Sequence, residues 1–313
     1  MSLTTQSSVA FASPAMVGDA SPRDYFALLK PRVMSLVMWT ALAGVLASPT
    51  PVHPLIGFAA LLAIAVGAGA AGALNMWWDA DIDALMARTR LRPVPDGRIA
   101  PGEARAFGLT LALLAVVTLA VTTNLVAASL LAFTIFFYVV VYTMWLKRRT
   151  PMNIVIGGAA GALPPVVGYA AASGGVGLDI LSLFAVIFFW TPPHFWALAL
   201  VKSGDYARAG VPMLPNVRGP ARTRTEILVY SFVLAPLGVT PWLTGLGGPT
   251  YAVVAAIAGI GMIVMAARVH RLRDGAMANR AAMQMFGFSI VYLFALVATL
   301  IAERLAAIVL GIW

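Results

Sequence analysis

Residues 55–83 read LIGFAALLAIAVGAGAAGALNMWWDADID, an apolar run that ends in a cluster of carboxylates. The apolar part, residues 55–75, is long enough to cross a bilayer as a helix, which requires about 20 residues. The whole chain of 313 residues is 61% hydrophobic and only 11% charged, whereas an ordinary soluble domain has about 25% charged residues. The stretch and the composition predict an integral membrane protein.

Apolar segments of similar length recur along the chain and are separated by polar loops. We predict nine transmembrane helices, at about residues 33–48, 55–75, 106–121, 125–146, 152–172, 180–200, 227–244, 251–267 and 285–308. The predicted fold class is therefore an all-α integral membrane protein. We expect residues 1–24, which are rich in serine and alanine, to form a disordered cytoplasmic tail, and residues 25–313 to form a single nine-helix domain.

Lysine and arginine are distributed unevenly between the loops. Of the 21 lysines and arginines, all except Arg304 lie before the first predicted span or in loops on the same side. Because cytoplasmic loops carry the excess of these residues, we expect the N-terminus to be cytoplasmic and, with nine spans, the C-terminus to lie outside. The net charge of +9 is thus a topology signal, and it gives no support to nucleic-acid binding.

Asn75, Asp79 and Asp83 are spaced four residues apart at the end of the second predicted span. A helix continuing through them places these side chains on one face and Asp81 on roughly the opposite one. Such oxygen ligands suit Mg²⁺, which commonly bridges carboxylates to substrate phosphates. Arginines, whose geometry matches phosphate oxygens, follow at positions 88, 90, 92, 98 and 105. The pattern predicts a metal–diphosphate site; the alternative is a solvated loop that only obeys topology rules.

Two further constellations are open to more than one interpretation. Lys147 and Arg148, at the cytoplasmic end of the fourth span, are either a second phosphate clamp or snorkelling anchors. His194 lies inside the sixth span, directly after Pro192 and Pro193. A histidine within the membrane is by default a functional hypothesis, as a base, a hydrogen-bond donor or a haem ligand. The alternative is a histidine bonded to carbonyls that the prolines leave free.

The chain has no cysteine, which excludes disulfides, thiolate metal sites and cysteine nucleophiles.

These motifs, taken in order, resemble those of the UbiA superfamily of intramembrane prenyltransferases, and within it the protohaem IX farnesyltransferase family. The Asn-x-x-x-Asp-x-x-x-Asp pattern resembles the first aspartate motif of the superfamily. The strings that carry the closer resemblance are residues 81–93, 147–165, 190–198 and 205–215, and residues 25–32 resemble the start of the first span in that family. The resemblance covers about residues 25–305.

The resemblance implies nine spans around a central cavity that cytoplasmic loops close. It implies Mg²⁺ as the cofactor, held by Asn75, Asp79 and Asp83. The expected catalytic residues are Asp79, Asp83, Lys147 and His194, and the expected substrate-binding residues are Arg88, Arg92, Arg148, Asn153, Asp205 and Tyr206. Many superfamily members have a second Asp-rich motif after span six, but this chain has no paired aspartates there, so a second Mg²⁺ has no support.

The implied reaction is transfer of a farnesyl group from farnesyl diphosphate to the 2-vinyl group of haem B, with water addition, to give haem O. The implied partners are these two substrates, membrane lipid and a haem A synthase. The implied location is the bacterial inner membrane, with the active site on the cytoplasmic side. Two alternatives stay open: a related prenyltransferase acting on another aromatic or tetrapyrrole acceptor, and a polytopic transporter, for which only Glu303 and Arg304 are charged residues late in a span.

Overall fold

The computed structural model describes residues 20–311, which fold into α-helices with no β-strand in that range. The helices are α1 (Pro22–Leu28), α2 (Pro31–Ala47), α3 (Pro54–Trp78), α4 (Ala80–Leu85), α5 (Pro101–Thr122), α6 (Leu125–Phe136), α7 (Asn153–Ala162), α8 (Pro164–Ser173), α9 (Leu178–Arg208), α10 (Leu214–Leu243), α11 (Pro249–Arg271) and α12 (Gly275–Leu310). Helix α6 continues as a π-helix over Phe137–Trp145 and a 3₁₀ turn over Leu146–Arg148.

The helices match the predicted spans in number and position. Within residues 20–311, eight segments are long and apolar enough to cross a membrane, and a ninth follows if α1 and α2, which meet at an angle of 51°, form one bent span. The prediction of an all-α, multi-pass membrane protein is therefore confirmed. Three helices extend beyond their predicted spans: α9 ends at Arg208, α10 begins at Leu214 and α12 begins at Gly275.

The expected N-terminal tail falls mostly outside the part of the chain that the structure describes. Residues 1–19 lie outside the described residues. Helix α1 begins at Pro22, so residues 22–24, which were expected to belong to the disordered tail, are helical. A capping box opens α1, in which the Asp24 carboxylate accepts from the Ser21 backbone and hydroxyl groups at 3.0 and 2.7 Å.

Two glycines allow α2 and α8 to cross at the distance of backbone contact. A Cβ atom on Gly44 would lie 1.9 Å from the carbonyl oxygen of Pro165, and one on Gly168 would lie 2.3 Å from that of Ala41. Such small residues permit the close helix packing typical of membrane proteins, where helices gain little from excluding water. Helix α8 is thereby held against α2, and α12 packs against both α2 and α9, so the last helix contacts the N-terminal part of the described chain.

Glu303 and Arg304 organise a turn between α10 and α11. The Glu303 carboxylate accepts the backbone N–H groups of Gly248 and Tyr251 at 2.7 and 2.9 Å, which caps the N-terminus of α11. The Arg304 guanidinium donates to the carbonyl oxygens of Gly245 and Leu246. These residues close a helix connection, so the two charged residues that lie late in a predicted span have a structural role.

Candidate active site

Asn75, Asp79 and Asp83 come together at the junction of α3 and α4. Helix α3 ends at Trp78 and α4 begins at Ala80, so the single continuous helix expected from the spacing is two helices that meet at Asp79. The four-residue spacing of hydrogen bonds nevertheless persists, because the Asp79 N–H donates to Asn75 and the Asp83 N–H to Asp79, at 2.9 and 2.8 Å. All three side chains are therefore buried on one side, with exposures of 4%, 0% and 1%.

Asp81 points away from this buried face, as its position in the sequence predicts. Its side chain is 63% exposed and accepts two hydrogen bonds of 2.7 Å from the Arg148 guanidinium. The same guanidinium holds the pKa of the Asp81 carboxyl below its usual range. The nearest approach of Arg148 to Asp79 is 3.7 Å, so Asp81 is the main partner of Arg148.

Each of the three buried side chains has an oxygen atom in contact with a lysine or arginine from a different part of the chain. The Lys147 ammonium pairs with Asp79 Oδ2, and Arg92 Nη1 lies 2.5 Å from Asp83 Oδ2. The Lys30 ammonium donates to Asn75 Oδ1 from the break between α1 and α2. The carboxylates are thus neutralised by the protein itself, as buried charges require.

Lys30 was not among the residues that the sequence singled out for the site. It is the non-glycine residue with positive φ in the described chain, at 53°, a conformation that ordinary residues seldom adopt. The following Pro31 begins α2, and Lys30 bridges α1 to α2 at the bend. The available signal was the string of residues 25–32 that resembles the family, together with a cation directly before a proline.

The π-helix places a further polar group in the site. Asn75 Nδ2 donates to Asp79 Oδ2 at 2.8 Å and to Thr143 Oγ1 at 3.0 Å, and the Thr143 hydroxyl donates to the Tyr138 carbonyl, five residues earlier. Such π-helical turns occur frequently at functional sites. The Tyr138 and Tyr142 rings lie beside Thr143 with centroids 5.5 Å apart. The apolar pattern of the fourth span gave no indication of this turn.

The donor set fits a magnesium ion that keeps several waters. Asp79 Oδ1 is buried and has no hydrogen-bond partner, and its nearest cation is Arg148 Nη2 at 3.7 Å, so this carboxylate oxygen is available to a closer ligand. Two carboxylates and one amide oxygen are the hard ligands that Mg²⁺ prefers, and this ion usually takes only one or two protein carboxylates in addition to phosphate oxygens and water. Within residues 20–311, no group of three or more His, Cys, Asp or Glu side chains could hold a metal, so a dedicated all-protein metal cage is not the arrangement here.

A second group of predicted residues lies across a small apolar cluster from the first. Arg88, Asp205 and Tyr206 line a cavity of about 30 Å³. The other side chains that line it are Met86, Leu198 and Lys202. Helix α4 and the end of α9 are held together here by buried apolar side chains of Ile82, Met86, Ile154, Ala199, Ala209, Val211 and Met213, against which Tyr206 packs. Asp205 itself forms an ion pair with Arg208.

Asn153 begins α7 and is fully buried. Its Nδ2 donates to the Thr150 carbonyl at 2.6 Å, within the turn that follows Lys147 and Arg148. Its Oδ1 is buried without a hydrogen-bond partner. A buried acceptor left unpaired costs about 1–3 kcal/mol. A ligand or a water that donates a hydrogen bond to Asn153 Oδ1 would therefore bind favourably.

His194 lies in a different environment from the aspartates. Its Nδ1 is 2.7 Å from the Ser289 hydroxyl on α12, and the ring is stacked between Trp190 and Phe286 at centroid distances of 4.2 and 4.5 Å. Trp190 Nε1 donates to the Ser289 carbonyl at 2.7 Å. The described hydrogen bond of His194 is therefore to a hydroxyl group and not to a carbonyl that the prolines leave free. None of the described contacts of His194 is with the aspartate cluster.

Comparisons with known proteins identify the family. The UbiA prenyltransferase family model matches residues 37–309. The protoheme IX farnesyltransferase of Beijerinckia indica subsp. indica is 62% identical over 304 residues, which cover 96% of this chain and 95% of that protein. The protoheme IX farnesyltransferase of Methylocella silvestris is also 62% identical, over 98% of this chain and 97% of that protein.

Solved structures share the fold at lower sequence identity. A structure from a study of digeranylgeranylglyceryl phosphate synthase in membranes superimposes with a TM-score of 0.74 at 16% identity, over 91% of this chain and 98% of that one. A UbiA homologue from Archaeoglobus fulgidus, bound to GPP and Mg²⁺, gives a TM-score of 0.62 at 17% identity, over 88% of this chain and 99% of that one. The resemblance found in the sequence is confirmed, and the chain belongs to the UbiA prenyltransferase family, in the group of relatives named protoheme IX farnesyltransferase.

Proposed function

We propose that this membrane protein transfers a farnesyl group from farnesyl diphosphate to the 2-vinyl group of haem B, with water addition, and releases haem O and diphosphate. The observation that carries the proposal is the high identity, over nearly the whole chain, to relatives named protoheme IX farnesyltransferase. The buried cluster of two carboxylates, one amide and three cations at one end of the bundle supplies the chemistry that such a transfer needs.

The leaving diphosphate is stabilised by cations held in a water-poor site. Lys147 and Arg92 are mostly buried, with side-chain exposures of 14% and 24%, and both lie within the aspartate cluster. Charges in such surroundings act more strongly than in water, and they favour departure of an anion when they are already in place. We assign two arginines to the outer phosphate contacts: Arg148, which lies 3.7 Å from Asp79 Oδ1, and Arg88, which lines the neighbouring cavity.

Asn75, Asp79 and Asp83 are the residues that would hold Mg²⁺. When bound, that ion would polarise phosphate oxygens and neutralise the charge that develops on the leaving group. Support for the metal comes from the buried Asp79 Oδ1, which has no hydrogen-bond donor, and from the Archaeoglobus fulgidus homologue, which was solved with GPP and Mg²⁺. We propose one Mg²⁺ site, because the stretch around Asp205 offers only one carboxylate, which Arg208 already engages.

The acceptor half of the site is assigned to α9 and the loop that follows it. Asp205, Tyr206 and Asn153 offer hydrogen-bonding groups near the apolar cluster that joins α4 to α9. We propose that His194 helps to position the porphyrin, with its ring orientation held by Ser289. Such positioning would bring a vinyl group towards the allylic carbon, and the intramembrane location would limit early attack by water.

The proposed setting is the bacterial inner membrane, with the site on the cytoplasmic side and the C-terminus outside. Support comes from the lysines and arginines, which concentrate in the loops at the end of the bundle that holds the aspartates. Farnesyl diphosphate would bind at the boundary of the two phases, with its farnesyl chain in the lipid and its diphosphate at the membrane surface. A haem A synthase, which consumes the product, is the proposed partner protein.

The test is a reconstituted reaction followed by mass spectrometry of the extracted haem. Purified protein is incubated with haem B, farnesyl diphosphate and Mg²⁺, and the expected product is haem B with a hydroxyethylfarnesyl group. Omission of either substrate or addition of a chelator is the control, and Asp83→Asn is the inactive variant. Farnesylation of a quinone precursor with no farnesylation of haem would favour the alternative acceptor, and no transfer to any acceptor would contradict the proposal.

A further inference from the structure

The cations in the aspartate cluster contact the same atoms that a metal ion would need. Lys147 lies on Asp79 Oδ2, Arg92 on Asp83 Oδ2 and Lys30 on Asn75 Oδ1. These contacts come from three separate segments: the 3₁₀ turn after the π-helix, the loop after α4, and the bend between α1 and α2. Three independent segments therefore converge on one face, one cation for each oxygen donor.

The carboxylates in this cluster are already balanced by cations. Asp79 and Asp83 are buried, and Lys147 and Arg92 each supply one positive charge to one of them. The neighbouring Asp81–Arg148 pair is neutral as a unit. A divalent cation that enters alone must therefore displace an ammonium or guanidinium group from its ligand atom, at a depth where charges are weakly screened.

A diphosphate group changes this balance. It brings about three negative charges at neutral pH and oxygen acceptors suited to lysine and arginine. The cations can then leave the carboxylates for the phosphate oxygens, and the released carboxylate and amide oxygens become free for the metal. Neither ligand alone satisfies all of the groups, because the metal alone leaves the cations without partners and the diphosphate alone leaves the carboxylates without them.

We propose that Lys30, Arg92 and Lys147 exchange partners when substrate binds, so that Mg²⁺ and the prenyl diphosphate bind only together. The inference rests on the proposed function, and it adds Lys30 as a positioning residue that acts through Asn75. This exchange predicts that variants lacking one cation gain affinity for the metal, whereas simple damage to the site would lower that affinity. Removal of one of these cations should strengthen metal binding in the absence of diphosphate, since a competitor for the ligand atoms is lost.

The experiment measures Mn²⁺ binding to the full-length protein in nanodiscs by electron paramagnetic resonance, with and without a non-hydrolysable farnesyl thiodiphosphate. For the wild type we expect Mn²⁺ to bind at least about tenfold more tightly when the analogue is present. For Lys147→Gln, Arg92→Gln and Lys30→Gln we expect Mn²⁺ alone to bind about tenfold more tightly than to the wild type, and the analogue to bind more weakly. The matched control is Arg149→Gln, an exposed cation of the same turn, which should change neither affinity.

The outcomes separate this inference from the function on which it rests. If the wild type binds Mn²⁺ equally well with and without the analogue, the coupling is absent, although the metal site stands. If all three variants bind Mn²⁺ alone as the wild type does, or more weakly, the cations do not compete for the ligand atoms. If the wild type binds no Mn²⁺ even with the analogue, the proposed metal site is wrong and the inference is wrong with it.

Discussion

Asp79 and Asp81 offer a test of the site in which two carboxylates of the same short segment should behave differently. The Asp79 side chain is 0% exposed and pairs with Lys147, whereas that of Asp81 is 63% exposed and pairs with Arg148. Substitution of each by asparagine removes one negative charge and leaves the shape of the side chain almost unchanged. The comparison therefore isolates the effect of a buried charge in the cluster from that of an exposed charge two residues away.

The structure gives different magnitudes for the two changes. Asp79→Asn leaves a mostly buried ammonium without its partner, which costs about 3–5 kcal/mol of stability when a buried pair is broken. Loss of a preorganised charged group at a reacting centre typically costs about 2.7–4 kcal/mol of transition-state stabilisation, or about 10²- to 10³-fold in kcat. Asp81→Asn breaks an exposed pair worth about 0–1 kcal/mol of stability and leaves both buried carboxylates in place.

The assay is haem farnesylation by purified variants in nanodiscs, with thermal unfolding of the same samples followed by circular dichroism. We expect Asp79→Asn to lose at least about 10²-fold in kcat and Asp81→Asn to retain most of the activity. A melting curve recorded beside each rate distinguishes an inactive folded protein from an unfolded one. Equal losses of activity in two folded variants would refute the assignment of Asp79 to the buried side and of Asp81 to the surface.

Three further predictions address the packing, the histidine and the topology. Gly44→Ala should lower the free energy of unfolding by about 1–3 kcal/mol, because the new Cβ would lie 1.9 Å from the Pro165 carbonyl oxygen; an unchanged melting temperature would contradict the observed crossing of α2 and α8. His194→Ala should weaken haem binding, measured by titration of the Soret band, more than it weakens binding of labelled farnesyl diphosphate, and Ser289→Ala should have a smaller effect of the same kind; an unaltered haem titration in His194→Ala would limit the residue to packing. A reporter fused after Arg92 should be cytoplasmic and one at the C-terminus external; if both are cytoplasmic, the segments from α5 to α12 do not all cross the membrane as expected.

Much of the fold follows from local features of the sequence. The length and apolar character of each segment predict a spanning helix wherever it lies, since the bilayer imposes the same length on all of them. The spacing of Asn75, Asp79 and Asp83 likewise predicts one buried face, because four residues correspond to about one helical turn. That prediction holds even though α3 and α4 are separate helices, since the backbone hydrogen bonds continue across Asp79.

The partners of these groups depend on tertiary structure. Lys30 and Asn75 are 45 residues apart in sequence, Arg148 and Asp81 are 67 apart, and His194 and Ser289 are 95 apart. The sequence could place each cation near the membrane surface, but it could not distinguish which carboxylate each would reach, because adjacent residues such as Lys147 and Arg148 point in different directions from the same turn. The π-helix, which alters that direction within the fourth span, and the contact of α2 with α8 through Gly44 result from how the helices pack. The sequence alone therefore determines which residues can carry charge and where each helix runs, whereas packing determines which charges meet.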